Sequence, residues 1–225
     1  AFSRLYQCVT SRNVAEAQAV FSLSLQEHGL ACHAQGVIIA DVDSTGLVVE
    51  GEHFELAESG YFADHPNAEG FQLLLACASH SLREILSIFF GPGNINPVVW
   101  FTDLVYDLAE KVGDFERLFL RADSLFGTGK NITFLIDHQV QYLIKGRDSR
   151  TANRWVIHLE QQLVWYPIDT TCWVAEAGRQ RIPQCPYQVR VILIRTLNTK
   201  TGLYEYSYLM TSLPESGYHA AGLFH

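Results

Sequence analysis

Two short stretches of this sequence place acids where they could hold a divalent cation. The first is Asp41-Val42-Asp43-Ser44-Thr45, at the end of an apolar run. Side chains alternate along a strand, so Asp41 and Asp43 project to one face. The second is Arg121-Ala122-Asp123-Ser124-Leu125-Phe126-Gly127, where an acid again leaves an apolar run, here for a glycine-containing turn that leads into a helix. In open α/β sheets such strand ends are where ligands collect. Mg²⁺ takes oxygen ligands at about 2.1 Å and needs only one or two carboxylates, with water and phosphate supplying the rest. A plainer role competes in both places, because aspartates at strand ends commonly serve the turn that follows.

Other chemistries fit less well. Gly127-Thr128-Gly129-Lys130 suggests a phosphate-binding loop, but Ser124 stands where the first glycine belongs and Asn131 replaces the Ser or Thr that would meet Mg²⁺. Asn131-Ile132-Thr133 fits a glycosylation sequon, which has no meaning in a cytoplasmic chain. His53, His65, His80, His138, His158 and His219 show no metal-binding spacing. The five cysteines (Cys8, Cys32, Cys77, Cys172 and Cys185) are scattered without paired short spacings, and read as reduced, buried thiols.

The elements that must position these acids follow from periodicity. Residues 11–31 read as a helix with Ser11 or Asn13 as N-cap and Gly29 as its stop. Strands are expected at 36–42 and about 46–50, then a polar loop over 51–70. FQLLLACAS and EILSIFF, separated by the polar turn HSLR, are expected to form an antiparallel pair, the second run ending at Pro92-Gly93-Asn94. Apolar residues at 3–4 spacing predict a helix over 97–112. A buried strand over 117–123, a helix at about 129–138 and a strand at 141–145 make an alternating βαβ portion. A helix is expected over 151–162. Beyond about residue 160 the texture turns β-rich, with a hairpin loop at Asn198-Thr199-Lys200-Thr201-Gly202.

The 225 residues suffice for one sizeable core with an appended subdomain. With 48% hydrophobic and 18% charged residues, the chain is not of the disordered kind. No stretch approaches the roughly 20 apolar residues of a membrane span, and the N-terminus lacks a signal-peptide layout, so a cytoplasmic protein is expected. The net charge of −8 argues against a generic nucleic-acid binder, since neutralising phosphates takes surplus Lys and Arg.

Several segments nonetheless resemble one family in order. RADSLFGTGKNITFLIDHQVQYLIKGR resembles the segment around the second catalytic aspartate of DDE transposases from bacterial insertion sequences, in the R-x-D-S-G-F form. DVDSTG resembles that family's first-aspartate segment, and FFGPGN its turn after the third strand. WYPIDTTCWVAEAG, PYQVRVILIR and YEYSYLMTSLP are similar to the β-rich insertion that precedes the third acid. The similarity spans about residues 36–225. Leu125 departs from it, standing where glycine is usual.

The resemblance implies an α/β chain with a ribonuclease-H-like mixed sheet flanked by helices and an all-β insertion subdomain. Its parts would be an N-terminal helical segment (1–35), the catalytic core (36–160), the β-rich insertion (161–213) and a truncated return to the core (214–225). It implies DNA strand cleavage and strand transfer at insertion-sequence ends, with Asp43 and Asp123 as catalytic acids and metal ligands, and Asp41 as the weaker alternative to Asp43. Two Mg²⁺ or Mn²⁺ ions would complete the site. Lys145 and Arg147 become DNA-backbone contacts, the DNA being terminal inverted repeats and target, and the complete enzyme a homodimer. The third acid is expected outside this chain, because Glu215 comes too early, in a turn marked by Pro and Gly. The fragment would then have little strand-transfer activity. An inactive remnant that only binds DNA or full-length subunits is the alternative. A ribonuclease-H-like nuclease unrelated to transposition would need a further acid, for which Asp148 is the candidate.

Overall fold

The apolar positions of residues 38–42 alternate, as a strand with one covered face requires. In the computed structural model, which describes residues 11–50, 54–55, 57–62, 65, 68–79 and 83–224, Ile38, Ala40 and Val42 are buried, while Ile39 and Asp43 are exposed. The chain divides into two compact units, residues 1–118 and 119–225. Each contributes both strands and helices, so the fold is mixed α/β.

The first unit begins with α1 (Ser11–His28) and a short α2 (Leu30–His33). Gly29 ends the first helix, as its expected stop, and a second short helix takes up the rest of the expected 11–31 span. The carboxylate of Glu84 accepts the free N–H groups of Leu30 and Ala31 at 3.1 and 2.9 Å, which favours a fresh helical start there. β1 (Ile38–Val48) pairs antiparallel with β3 (Glu69–Ala78), Ala40 opposite Ala78 and Val48 opposite Gly70. The other edge of β3 carries β2 (Glu58–Ser59) and β4 (Ile85–Pro92). Of the loop expected over 51–70, Glu58–Ser59 and the start of β3 at Glu69 are strand instead, because they pair with each other, while 51–53, 56, 63–64 and 66–67 lie outside the described residues, as do 80–82 of the expected turn HSLR.

Two expected strands, 36–42 and 46–50, are in fact the single strand β1. Its middle, Ser44 to Gly46, pairs with Leu74 to Gln72, a partner invisible in the local sequence. Gly46 is there for close approach, since a Cβ would lie 2.3 Å from the Phe62 ring. Asn96 then caps a 3₁₀ turn (Pro97–Trp100), accepting Val98 N–H at 3.1 Å. α3 (Phe101–Val112) follows and buries Phe101, Leu104, Val105 and Leu108. It ends at Gly113, whose φ of 94° is the left-handed cap position that glycine accepts at little cost.

The second unit opens with β5 (Leu118–Ala122), α4 (Gly129–Asp137) and β6 (Gln141–Lys145), the two strands running parallel with Ala122 opposite Ile144. After α5 (Ser149–Leu159) come β7 (Tyr166–Pro167), β8 (Cys172–Arg181), β9 (Gln188–Asn198) and β10 (Leu203–Thr211), then α6 (Ala220–Phe224). β10 pairs antiparallel with β6 as well as with β9, so the β-rich stretch continues the sheet that holds β5 and β6. Val189 to Ile194 are all buried, as in a strand covered on both faces. Trp155 of α5 stacks edge-on against Tyr208 at 4.9 Å, whereas the next residue, Leu209, packs with α6 over Val174, Ile192 and Ile194. Alternation thus puts a helix on each side of β10.

Among the described residues no helix is long and apolar enough to cross a membrane. Cys32, Cys77, Cys172 and Cys185 are free thiols. Only Cys172 is fully buried, so the expected burial is partial, and Cys8 lies outside the described residues.

Candidate active site

Asp123 leaves the carboxyl end of β5 and is exposed. Its Oδ1 accepts the Leu125 N–H at 3.0 Å, the local bond by which an aspartate closes a turn on its own backbone. The turn runs on through a bond from Gly127 N–H to the Ser124 carbonyl and enters α4 at Thr128, whose hydroxyl accepts Asn131 N–H at 3.2 Å. Leu125 is not among the residues of positive φ, so this turn does not need glycine at that position. Gly127 is the one that matters. A Cβ there would fall 2.1 Å from the Lys145 carbonyl oxygen, so only glycine lets the Asp123 turn lie against the end of β6. The sequon asparagine, Asn131, is buried and donates to the Phe126 carbonyl at 3.0 Å.

Because β5 and β6 are parallel and in register, Asp123 and Lys145 leave adjacent strands at the same end. Lys145 and Arg147 are both exposed. Gly146 between them donates its N–H to the Tyr208 carbonyl at 2.8 Å, and a Cβ there would strike the Tyr208 ring. The structure thus gathers three of the sequence-predicted site residues at one end of the second unit's sheet. Asp148, the acid considered for a different nuclease, caps α5: its oxygens accept Arg150 N–H at 2.9 Å and the Thr151 hydroxyl at 3.2 Å. The Arg150 N–H is the main reason its carboxyl is held below the usual range. Glu215 is exposed in the turn that leads to α6.

In the first unit Asp41 and Asp43 share a face of β1, as alternation predicts, but they sit in the middle of a strand and not at its tip. Leu75 lies opposite Asp43 and Cys77 opposite Asp41. The Cys77 thiol is pushed up by burial, then by the charge of Asp41 and, more weakly, that of Asp43, as expected when both carboxylates flank it. Asp43 Oδ1 accepts the Ser44 N–H at 2.8 Å. Asp43 is exposed and Asp41 half-buried.

Asp43 and Asp123 each offer hard oxygen donors of the kind Mg²⁺ or Mn²⁺ prefers, each exposed and accepting a backbone N–H. No group of three or more His, Cys, Asp or Glu poised for a metal occurs among the described residues. Sequence reasoning missed Gly127 and Gly146 as the residues that set the close packing around Lys145. A glycine inside or beside a strand is the only local signal of such an approach. No protein-family model and no curated protein matches this chain.

Proposed function

We propose that this chain carries the catalytic aspartates of a DDE-type transposase, acting on DNA by metal-dependent strand cleavage and transfer. The carrying observation is the end of the parallel β5-α4-β6 unit, where an exposed Asp123 and the cations Lys145 and Arg147 emerge together. An acid that holds metal beside side chains that neutralise phosphate is what phosphoryl-transfer chemistry asks of a protein. The order of elements supports a ribonuclease-H-like assignment: an antiparallel β1-β3-β4 meander and a helix, then a parallel β-α-β unit, then the β-rich stretch 161–213.

In this reading Asp123 is a cation ligand in the second unit and Asp43 one in the first, and Lys145 and Arg147 draw in the DNA backbone. Bound cations would supply activation of the attacking oxygen and stabilisation of the leaving 3′-oxygen. The bond from Leu125 N–H fixes the Asp123 carboxylate, and the Gly127 approach keeps that turn against β6, so little reorganisation is needed. The complete enzyme would work as a homodimer on terminal inverted repeats and target DNA.

A second reading is supported by the 11 Lys and Arg against 8 Asp and Glu of residues 119–225: a chain that binds DNA or full-length subunits without cutting. Mn²⁺ uptake followed by electron paramagnetic resonance tests the main reading. Asp43→Asn and Asp123→Asn are each expected to weaken uptake at least about tenfold. Unchanged uptake in either variant would overturn it, and a gel shift without nicking in Mn²⁺ would favour the binding-only chain.

A further inference from the structure

The second unit contains a cleft of about 510 Å³ between α5 and the end of β8, lined by Arg154, Trp155 and His158 on one side and Arg181 on the other. None of its lining residues is acidic. Arg154, His158 and Arg181 are exposed, and Arg154 donates to the Thr151 hydroxyl at 3.0 Å, which holds the guanidinium along the helix. Gly178, at φ 65°, lies in a break of register between Glu176 and Arg179, and such a bulge re-aims the residues after it. Arg181 is thereby placed by a specific feature of the strand. The loop beyond is anchored too, since a Cβ on Gly129 would lie 1.9 Å from the Pro183 carbonyl oxygen.

A chain of packing contacts links the cleft to the end of β6. Gly146, between Lys145 and Arg147, rests on the Tyr208 ring, Tyr208 stacks on Trp155, and Trp155 lines the cleft. Along α5 itself, Arg150 and Arg154 lie four residues apart, about 6 Å of helix rise, and His158 follows at the same interval. That repeat is comparable to the separation of neighbouring phosphates on one nucleic-acid strand, whereas a single small anion would engage only one of these groups. Residues 119–225 carry 11 Lys and Arg against 8 Asp and Glu, so this unit is net basic in an acidic chain.

We infer that the α5–β8 cleft, through Arg154, His158 and Arg181, binds the sugar-phosphate backbone of DNA that passes from Lys145 and Arg147. The inference rests on the reading of this chain as a DNA-processing protein and adds a second contact region to it. Fluorescence anisotropy of a labelled duplex of arbitrary sequence, over a range of salt, tests it with the full chain. The double variant Arg154→Gln/Arg181→Gln is expected to bind about tenfold more weakly, with the slope of log K against log [salt] reduced by about two. Arg179→Gln, on the same strand but outside the cleft, should bind like the parent chain. Parent-like affinity and slope in the double variant, with Lys145→Gln/Arg147→Gln impaired, would overturn the cleft and leave the DNA reading standing. A parent chain that fails to bind duplex at all would overturn both. Loss of binding in Arg179→Gln equal to that in the double variant would show a diffuse charge effect and also sink the cleft.

Discussion

The two units of this chain differ most in charge. Residues 1–118 hold 16 Asp and Glu against 5 Lys and Arg, whereas residues 119–225 hold 8 against 11. The net −8 of the whole chain therefore describes neither unit. It argued against nucleic-acid binding only while charge was treated as evenly spread. Electrostatic attraction acts within about a Debye length, roughly 8–10 Å, so the local surplus decides it.

Among the described residues, each unit holds an ion pair with a buried cation, and the two do different work. In the first, Lys111 joins Asp107 at 2.6 Å on α3 and reaches the Leu86 carbonyl at 2.8 Å, while the Ser87 hydroxyl donates to the same carboxylate. A point charge on a flexible stem here ties a helix to β4. In the second, Arg190 bonds both oxygens of Glu176, at 3.1 and 2.7 Å, and donates to the carbonyls of Leu213 and Tyr218. Its planar fork holds the segment that returns from β10 to α6, a task the lysine ammonium could not copy. Another second-unit cation, Arg195, lies between aromatic rings, 4.6 to 4.8 Å from those of Trp165, Trp173 and Tyr204.

Perturbing these features should separate the units, the largest effect first. Arg190→Ala strands Glu176, whose side chain is 20% exposed, and frees two carbonyls, so a loss of about 3–4 kcal/mol is expected in urea unfolding. Hydrogen exchange should rise over residues 213–224 and stay unchanged in 11–112. Arg190→Lys should recover less than half of that loss. Lys111→Ala should cost about 2–3 kcal/mol, less than the arginine change because the Asp107 side chain is 27% exposed and partly keeps its water. Protection should then fall in α3 and β4 alone. If either variant loosens both units equally, the division into two independently held parts is wrong.

Two smaller effects sharpen the picture of the second unit. Gly178→Ala has open space around its Cβ, but φ is 65°, so a loss of about 1 kcal/mol in urea unfolding is expected from backbone strain alone. A loss beyond about 2 kcal/mol would mean that the added methyl meets packed atoms at the bulge. Asp148→Ala should lower the melting temperature slightly at pH 7. The folded carboxyl of Asp148 is depressed, so its stabilisation is present above the unfolded value of about 3.9 and fades as pH falls through the folded one. The gap between variant and parent should close in that acid range, and a gap that persists there would assign the effect to helix propensity.

Local pattern settled much of the architecture. α3, the β5-α4-β6 alternation, the β9–β10 hairpin and the exit of Asp123 from an apolar strand are legible because periodicity, caps and turn residues act over a few positions. The resemblance added the pairing of Asp43 with Asp123 as candidate acids, which no spacing rule supplies. Tertiary structure decided the rest. The run from Asp43 to Gly46 looks like a turn and is a strand, because β3 and the Phe62 ring complete it. β10 joins β6 across some sixty residues, Arg190 finds its carbonyls far along the chain, and α5 meets β8 to form a basic cleft. These contacts join residues distant in sequence, and their energy depends on partners that no local window contains.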